Sequence, residues 1–405
     1  MKIVKAYQYR IYPNEQQQAA LSIQFGHARF VYNWGLAARR QAYRDNGKGL
    51  SYNDLAKALT LMKKFSFANW LKAADSQVLQ QKLKDLDTAY QNFFEGRAQY
   101  PQFKGRKARQ SIRYPQRFRV AGKKVYLPKV GWVKSVFHRR MEGEMRSCTV
   151  SKTKSGKYFI SIHCEVEIEE PKYEGDEIGI DLGLMDFLTA SNGQVVPAPR
   201  YLRKAEAKLR RLQRRLSRRQ KGSKGWQKAR LAVARQHEKV AQQRLDFQHK
   251  LSYRLVRDNR LLCFENLHIK GLLKNKRLAK AISDAGWSEF VRQCQYKGEW
   301  AGCHLEQVGR FFPSSKQCNV CHQINQTFKL SERKWLCLGC GTVHNREQNA
   351  SINIKVEGKR LVTNRTVGTT ETNAGGEDVR PDLALPHQAA STKPEIQSGF
   401  TALTG

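Results

Sequence analysis

Cys318-x2-Cys321-x15-Cys337-x2-Cys340 sets two CxxC pairs fifteen residues apart. A CxxC pair can place two thiolates on one ion, and two such knuckles complete a tetrahedral four-sulfur site of the kind zinc prefers, with metal–sulfur distances of about 2.3 Å. With all four positions filled by protein the zinc is structural and keeps no open position for water. His322 and His344 lie nearby and are surplus to four ligands. A second set of residues is more scattered. Asp181 lies in IGIDLGL (178–184), whose glycines allow close approach of backbone. Glu265 ends the apolar run NRLLCFE, and Glu347 stands near the start of NREQNASINI. Alone, Glu265 reads equally well as a solvated strand-end carboxylate and Glu347 as a helix-start acid favoured by the dipole, while the glycines around Asp181 make its setting more informative. Drawn together from two strands and a helix, three carboxylates can hold two divalent ions and hydrolyse a phosphodiester. Nothing in the spacing alone draws them together.

The elements that must position these groups show in the hydrophobic pattern. Residues 3–12 are rich in β-branched and aromatic types and read as a strand. Asn14-x-x-Gln17 and Ser51-x-x-Asp54 are helix-start signals. Leu21, Phe25, Ala28 and Val31 follow the first at helical spacing, and Leu55, Leu59 and Met62 follow the second. Leu79, Leu83, Leu86, Tyr90 and Phe93 form a third stripe, so 14–95 is a helical segment. Residues 120–170 read as β structure with a hairpin turn at Lys154-Ser155-Gly156-Lys157 and with Cys148 and Cys164 as core thiols. The first strand can pair into that sheet, which makes the helices an insertion. Residues 177–196 give strand, turn and strand, 259–267 a buried strand, and 284–302 a helix with Asp284 as its candidate cap. Residues 345–358 give a helix capped by Asn345.

Charge narrows the partners. The 405 residues hold 73 Lys and Arg against 35 Asp and Glu, a net +38, which favours a polyanion and nucleic acid first. Residues 96–119 carry eight cations, no acid and interleaved Tyr, Phe and Pro, so Lys104, Arg106, Lys107 and Arg109 are candidate nucleic-acid contacts. Residues 203–244 carry sixteen cations and two acids on a helical hairpin broken at Gly222 and Gly225. Arg210, Arg211, Arg214 and Arg215 are the candidates there, because so dense a charge repels itself unless phosphates are near. No stretch approaches 18 apolar residues and the N-terminus has no signal-peptide pattern, so no membrane partner is expected. Paired CxxC motifs rather than a disulfide framework suit a reducing cytoplasm. From Leu361 the composition turns to Thr, Gly, Asn, Pro and Gln with three basic and five acidic residues, and 361–405 reads as a disordered tail.

Taken in order, the motifs resemble the TnpB family, transposon-encoded RNA-guided nucleases related to type V CRISPR effectors. They are ARFVYNWGL (28–36), LPKVGWVK (127–134), GIDLGL (179–184), ENL (265–267), SDAGW (283–287), FFPSSKQC (311–318), the two CxxC pairs and NREQNASINI (345–354). The resemblance spans about residues 3–360. It implies an α+β multidomain fold: a wedge-like β-barrel (1–12 and 111–175) with an inserted helical recognition domain (13–110), then an RNase H-like (RuvC) α/β nuclease domain (176–310 and 344–360) with an inserted four-cysteine zinc ribbon (311–343). It implies that Asp181 and Glu265 are the first two catalytic acids, with Mg²⁺ or Mn²⁺ as the catalytic ion. It implies a guide RNA and a double-stranded DNA target as partners, and a monomer in the ribonucleoprotein of a prokaryotic, nucleoid-associated system. The family's last motif typically reads D-R-D-x-N-A-A. Here Asn345-Arg346-Glu347-Gln348-Asn349-Ala350-Ser351 puts Glu347, one methylene longer, at the third metal-ligand position. The function implied is cleavage of guide-matched DNA next to a short adjacent motif. A nuclease-weakened RNA-guided repressor and an unguided DNA-binding accessory of transposition are the alternatives.

Overall fold

Strand β1 (Lys2–Tyr12) buries Tyr7, Tyr9 and Ile11 and exposes Gln8 and Tyr12, the two-residue period of a half-buried strand. Three helices follow: α1 (Glu15–Asn46), α2 (Tyr52–Met62) and α3 (Ser76–Phe94). Both start signals form complete capping boxes, Asn14 with Gln17 and Ser51 with Asp54, so two otherwise orphaned backbone donors are satisfied at each helix start. Six strands come next: β2 (Gln110–Tyr114), β3 (Arg119–Ala121), β4 (Lys124–Leu127), β5 (Gly131–Val136), β6 (Glu144–Lys152) and β7 (Tyr158–Glu167). With β1 they make a seven-stranded antiparallel sheet in the order β2-β6-β7-β1-β5-β4-β3. The edge strands β2 and β3 do not pair, so the expected barrel is an open half-barrel. Its concave side is closed by Leu21, Phe25 and Ala28 of α1 and Val78 of α3, which join the sheet's own core. The other face of α1 packs with α2 and α3 around Val31, Leu36, Leu55 and Leu83. Cys148 and Cys164 are buried in the half-barrel, as their alternation predicts.

The computed structural model describes residues 1–169, 171–327 and 332–371, and the chain divides into two units, Met1–Lys359 and Arg360–Gly405. The second sheet begins with β8 (Asp176–Leu182), β9 (Asp186–Ala190) and β10 (Val195–Pro197). Helices α4 (Tyr201–Ser217) and α5 (Lys224–Asp258) form the basic hairpin. Then come β11 (Asn259–Glu265), α6 (Ile269–Leu272), α7 (Ala279–Ala285), α8 (Trp287–Ala301) and β12 (His304–Val308). The order is β10-β9-β8-β11-β12, with β8, β11 and β12 parallel and the β8–β9 and β9–β10 pairs antiparallel. One face of the sheet, Ile178, Ile180, Leu182, Leu262 and Phe264, packs on Leu251 and Leu255 of α5 and Phe290 of α8. A short hairpin, β13 (Lys334–Leu336) and β14 (Val343–Asn345), leads into α9 (Arg346–Glu371). The helix therefore continues past Leu361, where a tail was expected, because no Pro interrupts it; the rest of that segment, 372–405, lies outside the described residues. Among the described residues no helix is long and apolar enough to cross a membrane.

Asp284 departs from expectation. It sits in the last turn of α7, and α8 starts only after Gly286, whose φ of +67° breaks the chain direction. The Asp284 carboxylate instead accepts from the Leu202 amide at 2.9 Å and pairs with Arg244 at 3.4 Å. It thus caps α4, whose own N-cap residue Arg200 is left-handed at φ 50° and supplies no side-chain bond. A cap from a distant helix fixes the basic hairpin to the sheet's helical layer. Asp284→Ala removes the cap and the partner of Arg244 together, for an expected loss of about 1–2 kcal/mol. The check is the urea midpoint of unfolding followed by far-UV circular dichroism, and an unshifted midpoint rejects the assignment.

Candidate metal centres

Strand alternation assigns the other face of the second sheet. With Ile180 opposite Phe264 in the parallel β8–β11 ladder, Gly179 and Asp181 face away from α5 and α8, as do Cys263 and Glu265. That face is covered by α9. A Cβ added at Gly179 would overlap the Ser351 carbonyl oxygen, and one added at Gly358 would overlap Cys263 Sγ. Two glycines, one on the strand and one on the helix, thus let the helix lie at backbone distance from the sheet. The contact is pinned beside it: Gly179 N–H donates to Ser191 Oγ at 3.0 Å, and Gln348 Nε2 donates to the Ser191 carbonyl at 3.1 Å. Glu347, one helical turn before Ser351, therefore stands at the end of the sheet that carries Asp181 and Glu265.

The electrostatics report the same meeting. Burial pushes the Asp181 carboxyl up to about 7, the charges of Glu265 and Glu347 push in the same direction, and only Arg346 opposes them. Burial also raises Glu265 above the ordinary carboxylate range. Glu347 is only 14 % exposed and its Oε1 is taken by Arg346 Nη2 at 2.7 Å and Arg333 Nη1 at 3.4 Å. Both arginines reach the same oxygen. Half-buried hard oxygen donors of like charge, two of them acting on Asp181, suit a divalent cation such as Mg²⁺ or Mn²⁺.

The four cysteines also meet. Their sulfurs all lie within 4.8 Å of one another, with Cys318–Cys340 at 3.6 Å and Cys321–Cys337 at 3.5 Å. A tetrahedron with 2.3 Å bonds separates sulfurs by about 3.8 Å, so this donor set fits zinc. The amides of Val320 and Cys321 point to Cys318 Sγ at 3.4 and 3.5 Å, as suits a thiolate. Hydrogen bonds from the Thr342 hydroxyl and backbone draw the Cys340 thiol down to about 6. His344 is not idle: it is buried, packs on Trp335 with ring centroids 4.7 Å apart, and sets Nε2 3.0 Å from Cys318 Sγ. The ribbon is tied to α9 by two asparagines one turn apart. Asn349 and Asn353 each donate to the Gln317 carbonyl at 2.7 Å, and Asn349 Oδ1 accepts from the Asn319 amide at 3.0 Å.

The sequence signals gave no role to Asn349, Asn353, Arg333, Arg346 or Ser191. The i, i+4 spacing of the two asparagines is the one feature that could have been read as a shared face. Of the basic candidates, Arg106, Lys107 and Arg109 are exposed, while Lys104 is half-buried with its ammonium 3.5 Å from the Tyr32 ring centroid. Arg210, Arg211, Arg214 and Arg215 all lie exposed on α4, and Arg210 pairs with Glu206 at 3.3 Å.

Two outcomes follow from this geometry. Elemental analysis of the purified protein should find one zinc per chain, lost in Cys337→Ser; wild type without zinc rejects the four-sulfur site. A carboxyl raised on folding binds its proton more tightly folded than unfolded, so it lowers stability as pH climbs from about 4 through 7. Asp181→Asn should therefore raise Tm at pH 8 without added magnesium or manganese and change it little at pH 4. An equal effect at both pH values rejects the charge repulsion.

Three segments match family profiles: residues 161–276 match one described as "Probable transposase", 1–48 a "Helix-turn-helix domain" and 287–354 a "Cas12f1-like, TNB domain". In the structure residues 1–48 form β1 and the single helix α1. A Streptomyces pristinaespiralis protein named "Putative RNA-guided DNA endonuclease" is 39% identical over 362 residues, covering 88% of this chain and 90% of that protein. An Escherichia coli K12 protein, "Putative RNA-guided DNA endonuclease InsQ", is 32% identical over 380 residues, covering 89% of this chain and 94% of that protein. The cryo-EM structure of a Cas12f1–sgRNA–target DNA complex aligns with a TM-score of 0.53 at 14% identity, covering 87% of this chain and 99% of that one, which shows a shared fold. Identity of this degree along nearly the whole length of the relatives means that the chain belongs to the TnpB family of transposon-encoded proteins.

Proposed function

We propose that the protein is an RNA-guided DNA endonuclease that cuts guide-matched DNA beside a short adjacent motif. The observation that carries the reading is the convergence on Asp181, at the end of β8, of the charges of Glu265 and Glu347. The names of the two relatives support it, as does a shared fold with a protein solved on guide RNA and target DNA. In this reading the half-barrel is the wedge (1–12 and 111–175), α1 to α3 belong to the recognition domain (13–110), and the second sheet with α9 is the RuvC-like nuclease (176–310 and 344–360). The four-cysteine segment (311–343) is the structural zinc ribbon.

Each part has a distinct task. Base pairing with the guide reads the target sequence, and the protein holds the heteroduplex by its backbone through cations such as Arg211, Arg214 and Arg215. Asp181 and Glu265, on adjacent parallel strands, have positions fixed by the ladder, so they hold the cation-binding face rigidly. Magnesium or manganese held by these carboxylates supplies activation of water and neutralisation of the phosphodiester's developing charge. Glu347 completes the set from the first turn of α9. Arg346 and Arg333 hold that side chain in one orientation and reduce the repulsion among the acids.

The arginine clamp is also the observation that favours a second reading, a weakened nuclease acting as a guided repressor. The side chain is longer than the family's usual aspartate, and one oxygen is occupied by two cations. With guide RNA from its own locus and matched plasmid, Asp181→Ala and Glu265→Ala should lower cleavage by about 10²–10³-fold or more while target binding persists. Glu347→Ala should do the same. Glu347→Asp separates the readings: a fall in rate marks Glu347 as a fitted ligand, and a gain over a weak wild type marks a decayed one. A wild type that binds its target and never cuts with either metal overturns the endonuclease.

A further inference from the structure

The inference begins at a small cavity between the helices and the half-barrel. It is about 40 Å³ in volume and is lined by Arg29 of α1, Lys82 of α3, Lys104 and Arg109 of the connecting segment, and Gln110 and Ser111 of β2. Phe25 and Ala28 add an apolar wall, and none of the lining side chains among the described residues is acidic. On the scale where one water needs about 10–15 Å³, the space takes one tetrahedral oxyanion and excludes a nucleoside.

The cations are held where an isolated fold has no use for them. The Lys82 side chain is only 9% exposed, and its ammonium bonds Asp85 at 2.6 Å. Among the described residues no carboxylate bonds the Lys104 ammonium, which lies over the Tyr32 ring. Its backbone is fixed by paired bonds with the Asn33 side chain at 2.8 and 3.1 Å, so the side chain cannot leave with its loop. Burial, and next to it the charge of Lys82, hold the Lys104 ammonium below the ordinary lysine range. Lys82 and Lys104 are desolvated side by side with the single Asp85 bonded to Lys82, and the half-buried Arg29 and exposed Arg109 add two more charges, a positive excess that folding alone disfavours. A hydroxyl and an amide beside them complete the donors an oxyanion takes.

We infer that this cavity is a preformed site for one backbone phosphate of a nucleic acid strand, gripped by Lys104 and Lys82 inside and by Arg29 and Arg109 at the mouth. The inference rests on the reading of the protein as a nucleic-acid-guided enzyme, and it adds Lys82 and Arg29 to the contacts foreseen in the sequence. Guide RNA and target DNA offer the same phosphodiester chemistry, and the site's shape requires only that the strand bring one phosphate to the seam between helices and sheet. The phosphate would tie the helical insertion to the half-barrel when the strand is bound.

The test uses the full chain with labelled single-stranded RNA, single-stranded DNA and duplex DNA across a salt series, and with inorganic phosphate at constant ionic strength. Lys104→Gln should leave Tm of the free protein unchanged or higher and shrink the rise in Tm that phosphate gives wild type. It should reduce the slope of log K against log salt by about 0.7 on a single strand or about 0.9 on duplex, and the substrate that shows the loss identifies the strand. Arg109→Gln, an exposed change that removes no packing, should lower the same slope. A Lys104→Gln protein that is less stable than wild type, with phosphate response and all slopes unchanged, overturns the inference and leaves a structural cation–π contact. If wild type binds neither RNA nor DNA, the guided-enzyme reading fails, and the phosphate response still decides the cavity.

Discussion

The closeness of α9 to the second sheet governs the rest of the molecule. A helix normally stands off a sheet by the thickness of two side-chain layers; here glycines at 179 and 358 remove one layer from each side. Close approach converts a strand position into a helix position with little slack, since a backbone cannot change rotamer. The first turn of α9 then has one place to be, and Glu347 comes with it. Without that contact the third acid would ride on a helix free to shift by an ångström, and metal-holding groups need tighter placement than that.

What the contact brings together resists being together. Asp181 is driven toward its protonated form by burial and by two neighbouring carboxylates. Like charges in a poorly solvated place lower the stability of the free protein, and such local cost is expected where a site is shaped for a cation rather than for the fold. The arginines at 333 and 346 offset part of it by pairing with Glu347. The basic surfaces follow the same logic with the sign reversed: α4 exposes Arg211, Arg214 and Arg215 beside the one acid of the helix, Glu206, which pairs with Arg210, and a phosphate backbone is the natural complement.

How much of this was legible in the sequence depends on how local the signal is. Capping boxes at Asn14 and Ser51, the alternation of β1, and the two CxxC pairs are written within a few residues each, and each took the form its spacing indicates. The acids at 181, 265 and 347 were visible as residues, but their convergence depends on β8 and β11 being parallel neighbours and on α9 crossing their outer face, which no local pattern states. Asp284 shows the limit clearly. A carboxylate just ahead of a helical stripe looks like its cap, yet the bond it makes is to Leu202, 82 residues away, because Gly286 delays the helix. Lys82 is similar: it reads as a solvated lysine on a helix, and only the connecting segment folding over it makes it buried.

The ribbon is coupled to the acids through α9 rather than through the sheet. Asn349 and Asn353 hold the carbonyl of Gln317, the residue just before the first zinc knuckle, and Arg333 reaches back from just before β13 to Glu347. These bonds make the knuckle, the hairpin and the first turns of α9 one rigid piece. Asp181 and Glu265 belong to a different piece, the strands of the sheet, and depend on the ribbon for nothing. The two pieces meet along α9, where Ser351 lies on Gly179, Gly358 on Cys263, and Gln348 bonds the Ser191 carbonyl. The four-cysteine ribbon and the acid-bearing strands are therefore joined through α9, and the length of Glu347, the feature in which this chain departs from its family, sets how far its carboxylate reaches from that helix toward Asp181.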